Sequence, residues 1–573
     1  MKYMKNIIHK IFMTSALGAV VASCSFLDVE PQVICSDTFY KTQQEVEYGL
    51  AGVYGVMSNE QFYGSTYSLM CSNIDDLSYY NRASSTSYLA WFNHGPGTGE
   101  IYDVWTEIYQ GIGNANAFME AISQTAFDED GAYYAEARFL RAYYHFILAQ
   151  AWGDVPLRTK AVKNPAQVMC AATPQDEILK WCVSEMEACL DNISDDLTNA
   201  PSRVTKNTVF GILARVNLFM AGETVKNVDK VACLTAARDY ADSVIVSNDH
   251  KLNPDYSQIF KNMISDKYDR DYYETMWEVD FLGDRSNADS WSNGRIGDLL
   301  GLQSGDSNSS NFKDFKCNFA HAMYNGSLKL WSLYQDTDRT EDEAKLSVVT
   351  DKRQEWNLPP YNYKGHASQP PYGSGLASGS SVAGVDKTPY VYNKISTSND
   401  PLAAPAIRNC GKFRREVELE GQKTAKLLYT TVNYPILRYS DVLLMYAEAS
   451  NELDGLSQKA YDCVKAVRDR AGVKTLPMSE YDKDTFCELV RNERGRELCF
   501  ESLRKYDLIR WGIFVQEMNN YSVWVQDERW SKESNLSAIA SQIGGNVRNQ
   551  HILFPIPSVE LGVNDLLDQN PLW

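Results

Sequence analysis

The sequence predicts a mainly α-helical protein: a degenerate helical-repeat scaffold of the tetratricopeptide type, interrupted by a loop-rich insertion. Two observations predict this fold class. Segments with apolar residues at three- and four-residue spacings follow one another through the first half of the chain and return near its end, as amphipathic helices require. Between them, about residues 251–430, Gly, Ser, Asn, Asp and Pro accumulate, and these residues favour loops. Few segments alternate as strands do.

The first residues have the three parts of an export signal. Three lysines lie among the first ten residues, and an apolar run of eleven residues follows at 11–21. That run is too short to span a hydrocarbon core about 30 Å thick, so we expect residues 1–23 to be a cleaved signal peptide. The order Val-Ala-Ser-Cys at its end resembles the bacterial lipobox. We therefore expect Cys24 to carry lipid as the first mature residue; the alternative is an ordinary secretory signal with a chance cysteine.

The composition limits the partners. The chain has 573 residues and a formal net charge of −19. Such an acidic protein does not bind nucleic acid through general electrostatics, because phosphate binding needs a basic surface. For the same reason the protein is not attracted to anionic lipid, so we expect the lipid anchor to attach it to the membrane. The cysteines after Cys24 are scattered, without CxxC pairs, and we expect most of them to be small buried hydrophobic residues.

The N-terminal part, about residues 30–250, contains a series of predicted helices. Small residues recur four positions before an aromatic one, as in Ala135/Phe139 and Ala142/Phe146. This spacing resembles the packing step of tetratricopeptide helix pairs, in which the small residue lets the neighbouring helix come close. The predicted helices span residues 38–57, 101–122, 133–151, 175–190, 205–220 and 231–246.

The loop-rich insertion has long polar stretches at 301–311 and 370–389, and long loops in a compact protein are usually functional or disordered. We expect it to form much of a binding surface over the helices. Carboxylates bunch at Asp336, Asp338, Glu341 and Asp342. Calcium binding is one interpretation, although the glycine and final glutamate of an EF-hand are missing; a solvated acidic loop is the other, and no cofactor is expected.

Helices return in the C-terminal part, about residues 431–573. Their charged residues alternate with apolar ones, and Arg and Glu three or four positions apart on a helix can pair. We expect Arg494, Glu497, Asp507 and Arg510 to lock helices together rather than to catalyse. The predicted helices span residues 440–453, 457–470 and 483–501, with a short one near 508–518.

Several long motifs occur in a fixed order along the chain. The most specific are Arg-Asn-Glu-Arg-Gly-Arg-Glu-Leu-Cys-Phe-Glu and Arg-Lys-Tyr-Asp-Leu-Ile-Arg-Trp-Gly, which begin at Arg491 and Arg504. Together they resemble the RagB/SusD family of outer-membrane lipoproteins over essentially the whole mature chain, residues 24–573. The others are at 105–116 (Trp-x-x-x-Tyr-x-x-Ile-x-x-x-Asn), 136–144, 153–157 (Gly-Asp-Val-Pro-Leu), 434–449 (from Tyr-Pro-Ile-Leu-Arg-Tyr), 553–557 (Leu-Phe-Pro-Ile-Pro) and 569–571 (Gln-Asn-Pro).

The resemblance implies a function. Proteins of this kind are lipid-anchored at the cell-surface side of the outer membrane, bind an oligosaccharide or polysaccharide, and pass it to a SusC-like TonB-dependent transporter. They bind without turnover. By resemblance, the loop before the Trp-x-x-x-Tyr helix contributes polar and aromatic contacts, and the insertion adds aromatic residues. The glycan-binding candidates are Asp75, Asp76, Arg82, Trp91, Asn93, Trp291, Trp331, Trp356 and Tyr361; for each of them, packing within a loop is the alternative.

Two other classes of function stay open from the residues alone. A secreted glycan-degrading hydrolase needs an acid/base pair, and the abundant carboxylates do not exclude one. The sequence nevertheless contains no GxSxG, HExxH or P-loop motif. A structural or adhesin surface lipoprotein would use the same helical body without a sugar site.

Overall fold

A computed structural model describes most of the chain. Cys24, Trp291 and the acidic stretch 336–342 lie outside the described residues, as does the whole segment 1–38. The described residues are 39–123, 125–128, 131–281, 292, 294–303, 320–335, 351–359, 361–363, 376–378, 392–395, 408–416, 418, 428–526 and 534–573.

The protein is mainly helical, as the sequence predicts. The first helices are α1 (Gln43–Tyr54), α2 (Gly99–Ile122), α3 (Ala132–Trp152), α4 (Gln175–Glu187), α5 (Lys206–Met220), α6 (Lys230–Ser247), α7 (Tyr256–Ile264), α8 (Ile296–Leu299), α9 (Leu328–Gln335) and α10 (Lys352–Asn357). The C-terminal helices are α11 (Tyr439–Asp454), α12 (Gln458–Arg470), α13 (Lys483–Leu498), α14 (Arg504–Arg510), α15 (Phe514–Trp524), α16 (Ser534–Asn546) and α17 (Ser558–Val563).

Neighbouring helices pack in pairs, and small residues allow their close approach. Consecutive helices from α2 to α6 contact one another, and α11 lies against α6, α12 and α13. Ala135 and Ala142 are buried in α3 together with Phe139. A Cβ added to Gly111 of α2 would lie 2.8 Å from the ring of Tyr144 in α3, so only glycine fits at this crossing. This packing agrees with the predicted repeat scaffold.

Side-chain caps fix where several helices begin. The Thr42 hydroxyl accepts a hydrogen bond from the Glu45 N–H, and the Glu45 carboxylate accepts one from the Thr42 N–H at 2.8 Å. Asp482 and Thr485 form the same reciprocal box at α13. Each such cap contributes about 1 kcal/mol, because it satisfies backbone donors that the helix leaves unpaired.

The single helix predicted near 508–518 is wrong. The structure has two, α14 and α15, separated at Trp511–Ile513. Gly512 has a φ of +73°, a left-handed conformation that ends a helix and that glycine adopts without strain. The Gly512 N–H donates to the Ile509 carbonyl at 2.9 Å and closes the turn.

Strands are short, and two of their pairings join distant parts of the chain. β2 (Thr275–Val279) pairs antiparallel with β7 (Tyr434–Arg438), and β1 (Ser78–Tyr80) pairs antiparallel with β3 (Tyr324–Gly326). Parts of residues 251–430 are therefore built into the core rather than laid over it. A third sheet consists of β4 (Tyr361–Tyr363), β5 (Leu376–Ser378) and β6 (Tyr392–Ile395), in the order β4-β6-β5.

A buried network of ionic groups connects α10, α12, α13 and the β2–β7 ribbon. Glu497 of α13 lies at its centre, with its carboxylate oxygens 3.0 Å from Arg353, 2.9 Å from Arg438 and 2.6 Å from Arg470. Burial alone would raise the pKa of Glu497, but the three guanidinium groups outweigh it and hold the pKa far below its usual range. The network confirms that these charges are structural.

A second network confirms the same role for the neighbouring motif. Arg494 of α13 bonds Asp441 of α11 at 2.7 Å and Asp507 of α14 at 2.8 Å. Arg510 bonds Asp507 at 2.8 Å and also pairs with Glu448. The three helices are therefore held by charges that are nearly excluded from water, where removing one partner costs much more than the pair contributes.

Two further findings concern the whole described chain. Across this part of the chain, every helix falls short of the length and apolar character needed to cross a bilayer. Nine cysteines are described; all are free thiols, and seven of them are buried, which agrees with their expected role as small hydrophobic residues.

Candidate functional site

The β1–β3 ribbon positions the loop that the sequence singles out. Tyr80 lies opposite Tyr324, so residue 81 emerges from the ribbon beside residues 321–323. The Asn81 side chain donates to the Ala322 carbonyl at 2.9 Å and to Asn325 at 2.7 Å. Asn409 donates to the same Asn325 oxygen at 2.7 Å. These buried amides fix the start of the surface loop 82–93.

Asp75 and Asp76 are buried and bonded within the protein, which corrects their expected role as glycan contacts. The Asp75 carboxylate accepts from the N–H groups of Leu77 at 2.8 Å and Ser78 at 3.0 Å. Asp76 pairs with Arg504 at 2.8 Å and Lys329 at 2.7 Å, and its side chain is 0% exposed. Asp75 is therefore occupied by backbone N–H groups at the start of the ribbon, and Asp76 is a buried charge that is compensated by two cations.

The environments of these two carboxylates push their pKa values apart. Burial and the adjacent Asp76 charge raise the pKa of Asp75 to about 7. Burial alone would raise the pKa of Asp76 as well. The charges of Arg504 and Lys329 outweigh this effect and hold the pKa of Asp76 well below its usual range. The split resembles that of an acid/base pair, yet neither group is open to solvent.

Trp91 is also buried, with 5% of its surface exposed, and the structure gives it a packing role. Its indole N–H donates to the Arg82 carbonyl at 2.9 Å, closing the loop across nine residues. Its own carbonyl accepts from Asn546 of α16 at 2.9 Å. Because so little of the residue is exposed, Trp91 cannot stack on a sugar in this conformation.

Arg82 and Asn93 do reach the surface of the loop. Arg82 is half-buried and donates to the His321 carbonyl at 2.8 Å. Asn93 is exposed, and its N–H donates to the Tyr88 carbonyl at 2.9 Å. The Tyr88 ring is 60% exposed. The loop therefore presents an aromatic ring and polar side chains on a backbone fixed by internal hydrogen bonds.

His321 lies beside this loop, because its carbonyl accepts the hydrogen bond from Arg82. Its ring Nδ1 is 2.8 Å from the Asp298 carboxylate, which also pairs with Arg295 at 2.7 Å. Burial opposes ionisation of Asp298, but the bonds from His321 and Arg295 outweigh it and lower its pKa. Neither Tyr88 nor His321 is among the residues that the sequence singles out: His321 comes beside Arg82 only through the pairing of β1 with β3, and Tyr88 is distinguished only by its exposure in the folded loop.

The remaining candidates lie elsewhere or cannot be placed. Trp331 is a half-buried residue of α9 packed on the core. Trp356 is a half-buried residue of α10, with the Arg414 guanidinium 4.0 Å and the Lys261 ammonium 5.4 Å from its ring centre. Tyr361 lies in β4 and its side chain is not described, and Trp291 lies outside the described residues.

The chemistry available at the loop is hydrogen bonding and ring stacking. A tyrosine ring offers an apolar face and a polar edge, and the amide and guanidinium groups beside it can orient hydroxyl groups. Within the described residues, no group of three or more His, Cys, Asp or Glu side chains is arranged to hold a metal ion.

Comparison with protein-family profiles and with known proteins shows which family the chain resembles. The profile of the SusD family matches residues 273–573, and that of a SusD-like family described as "Starch-binding associating with outer membrane" matches residues 25–218. SusD-like protein P25 of Formosa agariphila is 23% identical over 98% of this chain and 97% of its own length.

Solved structures share the fold. A SusD homolog from Bacteroides thetaiotaomicron has a TM-score of 0.77 and 24% identity, with 94% of this chain and 98% of that chain covered. A protein described as a laminarin binding SusD-like protein has a TM-score of 0.64 and 19% identity, with 93% and 100% covered. Because the SusD profile alone matches more than half of its residues, the chain belongs to the SusD family.

Proposed function

We propose that this protein captures an oligosaccharide or polysaccharide at the cell surface and delivers it to a SusC-like TonB-dependent transporter in the outer membrane. It does so as a binding protein without turnover, held by lipid on Cys24. Family membership supports the ligand class, as does the laminarin binding of one structural relative. The description "associating with outer membrane" supports the location.

The observation that carries the proposal is the exposed face of loop 82–93. Tyr88 presents its ring to solvent, and Arg82 and Asn93 lie at the same loop. A rigid aromatic ring with a few fixed polar groups is the usual form of a sugar-binding surface. We therefore keep Arg82 and Asn93 among the proposed contacts, add Tyr88 and His321, and omit the buried Asp75, Asp76 and Trp91.

Affinity gels test the ligand class. The soluble form lacking residues 1–24 is run through gels containing laminarin, starch, xyloglucan or polygalacturonate. Retardation by at least one polysaccharide without release of reducing sugar is the expected result. Release of reducing sugar would instead support the hydrolase alternative. Failure to bind any glycan, with self-association, would support the structural or adhesin alternative.

A matched pair of variants tests the placement of the site. Tyr88→Ala removes a ring that is 60% exposed, and the control Tyr48→Ala removes one that is 59% exposed on α1. Loss of an aromatic contact worth about 1 kcal/mol weakens binding about fivefold, so Tyr88→Ala alone should show this change. Equal affinities of the two variants would mean that the site lies elsewhere.

Co-purification tests the partner. The full-length protein, extracted from outer membranes in mild detergent, should elute with a large TonB-dependent transporter. A chain that always elutes alone would contradict the delivery step while leaving glycan capture intact.

A further inference from the structure

Two clefts adjoin on the surface of the N-terminal helices, and none of the residues that line them belongs to loop 82–93 or to the strands β1 and β3 that position it. One has a volume of about 600 Å³ and the other about 480 Å³. Tyr133, Asn199 and Arg203 line both clefts, so these residues form the wall between them. Volumes of 300–1,000 Å³ are typical of small-molecule sites.

The wall between the clefts is rigid. The Arg203 guanidinium donates to the Glu136 carboxylate through two nitrogens, Nε at 3.1 Å and a terminal nitrogen. Glu136 also accepts from the Tyr54 hydroxyl at 2.6 Å, and that hydroxyl accepts from the Val204 N–H at 3.1 Å. The Arg203 guanidinium lies 5.7 Å from the centre of the Tyr133 ring. A ligand therefore meets groups that are already oriented, which lowers the entropic cost of binding.

The lining combines apolar surface with neutral hydrogen-bonding groups. The Tyr133 hydroxyl accepts from the Gln43 amide at 2.7 Å and contacts Glu47 at 3.1 Å. Asn199 is exposed at the boundary of the clefts. Half-buried Phe127 supplies apolar surface in the first cleft, and exposed Ala51 and half-buried Tyr54 supply it in the second, above the buried side chains of Leu50, Met57 and Trp277. Such a mixture suits a ligand that is both ring-shaped and rich in hydroxyl groups.

The charges of the lining exclude an anionic ligand. Among the described residues that line the two clefts, Arg203 is the one cation, and it is already paired with Glu136. Glu47 and Asp196 are exposed carboxylates of the lining, Asp280 is half-buried, and Glu278 is a buried carboxyl whose pKa burial raises well above its usual range, so that its neutral form is favoured. Burial, partly opposed by a bond from Tyr268, raises the pKa of Asp280 to about 6. Phosphorylated, sulfated or uronic ligands would meet like charge here, so an uncharged ligand fits better.

We infer that the paired clefts at Tyr133 and Arg203 form a second binding site for a short, uncharged oligosaccharide, independent of loop 82–93. The inference rests on the proposed function for its ligand class. Two sites on one protein can hold the same polymeric glycan. When the glycan dissociates from one site, the other site still holds it, and rebinding is then intramolecular.

Variants that fill the clefts test the inference without touching the salt bridge. Ala126 lines the first cleft and Ala51 the second, and both are exposed. The double variant Ala51→Trp/Ala126→Trp places an indole in each cleft. Ala232→Trp, at an exposed alanine of α6, is the control. Asn199→Ala, which removes an amide at the shared boundary, is a milder variant that does not add bulk.

Isothermal titration calorimetry on the soluble form lacking residues 1–24 provides the readout. The probe is a hexasaccharide from the uncharged polysaccharide of the gel panel (laminarin, starch or xyloglucan) that retards the wild type most. The wild type should bind at two sites. Tyr88→Ala should weaken one of them and leave the other. The cleft-filling variant should weaken that other site at least tenfold, and Asn199→Ala about threefold, while Ala232→Trp changes neither.

The outcomes separate this inference from the proposed function. A wild type with one site, lost in Tyr88→Ala and unchanged in both the cleft-filling variant and Asn199→Ala, overturns the second site and leaves the proposed function standing. Binding lost only on filling the clefts supports the inference and moves the main site away from Tyr88. No binding of any panel oligosaccharide by the wild type overturns both.

Discussion

Replacing Glu497 with glutamine tests whether the buried ionic network holds the C-terminal helices to the rest of the fold. The Glu497 carboxylate is 0% exposed and bonds three guanidinium groups, those of Arg353, Arg438 and Arg470. Glutamine has nearly the same shape, so Glu497→Gln changes the charge and leaves the packing almost intact. The variant therefore isolates the electrostatic contribution of one group.

The magnitude follows from the charge balance of the network. Among the described side chains, the ion pairs of this network, each no longer than 4.0 Å, join five carboxylates to six cations. The variant leaves four carboxylates for the same six cations. Removing one partner of a buried ion pair costs about 3–5 kcal/mol, because the remaining charges stay buried without compensation. The carboxylates are Glu274, Asp351, Glu493, Glu497 and Glu501, and the cations are Arg353, Lys412, Arg438, Arg468, Arg470 and Arg496.

Thermal unfolding of the soluble form measures the effect. An unfolding entropy of about 2.1 cal/mol/K per residue turns a loss of about 3–5 kcal/mol into a Tm lower by about 3–4 °C for a chain of this length. The control Asp454→Asn removes a carboxylate that is 69% exposed and pairs with Arg238, which is worth less than about 1 kcal/mol. If Glu497→Gln lowers Tm no more than Asp454→Asn does, the network does not contribute as reasoned here.

Three further predictions concern single residues. Burial and the adjacent Asp76 raise the folded-state pKa of Asp75 to about 7, so folding favours the protonated form and stability should fall as the pH rises from about 4 to 7. Asp75→Asn removes this loss, and the difference in unfolding free energy between variant and wild type should grow by about 1.4 kcal/mol per pH unit in that range; a constant difference would contradict the raised pKa. Trp91→Ala should destabilise the protein by about 3–5 kcal/mol, since the ring is buried, whereas unchanged denaturant unfolding would show that the ring is not part of the core. Cys24→Ala should release the protein from the membrane fraction while glycan retardation in gels is unchanged, and a variant that still sediments with membranes would refute the lipid anchor.

The helices were predictable because their signal is local. Apolar periodicity placed α2, α3, α5 and α12 within about two residues of their observed ends, since each helix buries a stripe that the sequence itself displays. The break at Gly512 was missed because the apolar spacing continues through it. The glycine itself was the one local indication of a helix end. Its left-handed conformation, however, depends on how α14 and α15 pack.

The site was only partly predictable. Of the five candidates that the sequence placed in this loop, Arg82 is half-buried and Asn93 is exposed, whereas Asp75, Asp76 and Trp91, only a few positions away, are buried. A loop has no fixed period that would show which side chains point to solvent. Their burial depends on partners hundreds of residues away: Lys329 and Arg504 for Asp76, and Asn546 for Trp91.

The sequence by itself determined the helical scaffold, the expected export signal with Cys24, and the family to which the chain belongs, because periodicity, local composition and ordered motifs are all properties of neighbouring residues. Only the tertiary structure decided which charges of the C-terminal motifs meet, that His321 lies beside Arg82, and that Tyr88 is exposed. It also formed the clefts beside Tyr133 and Arg203. These features depend on long-range pairings such as β1 with β3 and β2 with β7, whose partners lie more than 150 residues apart and leave no local pattern in the chain.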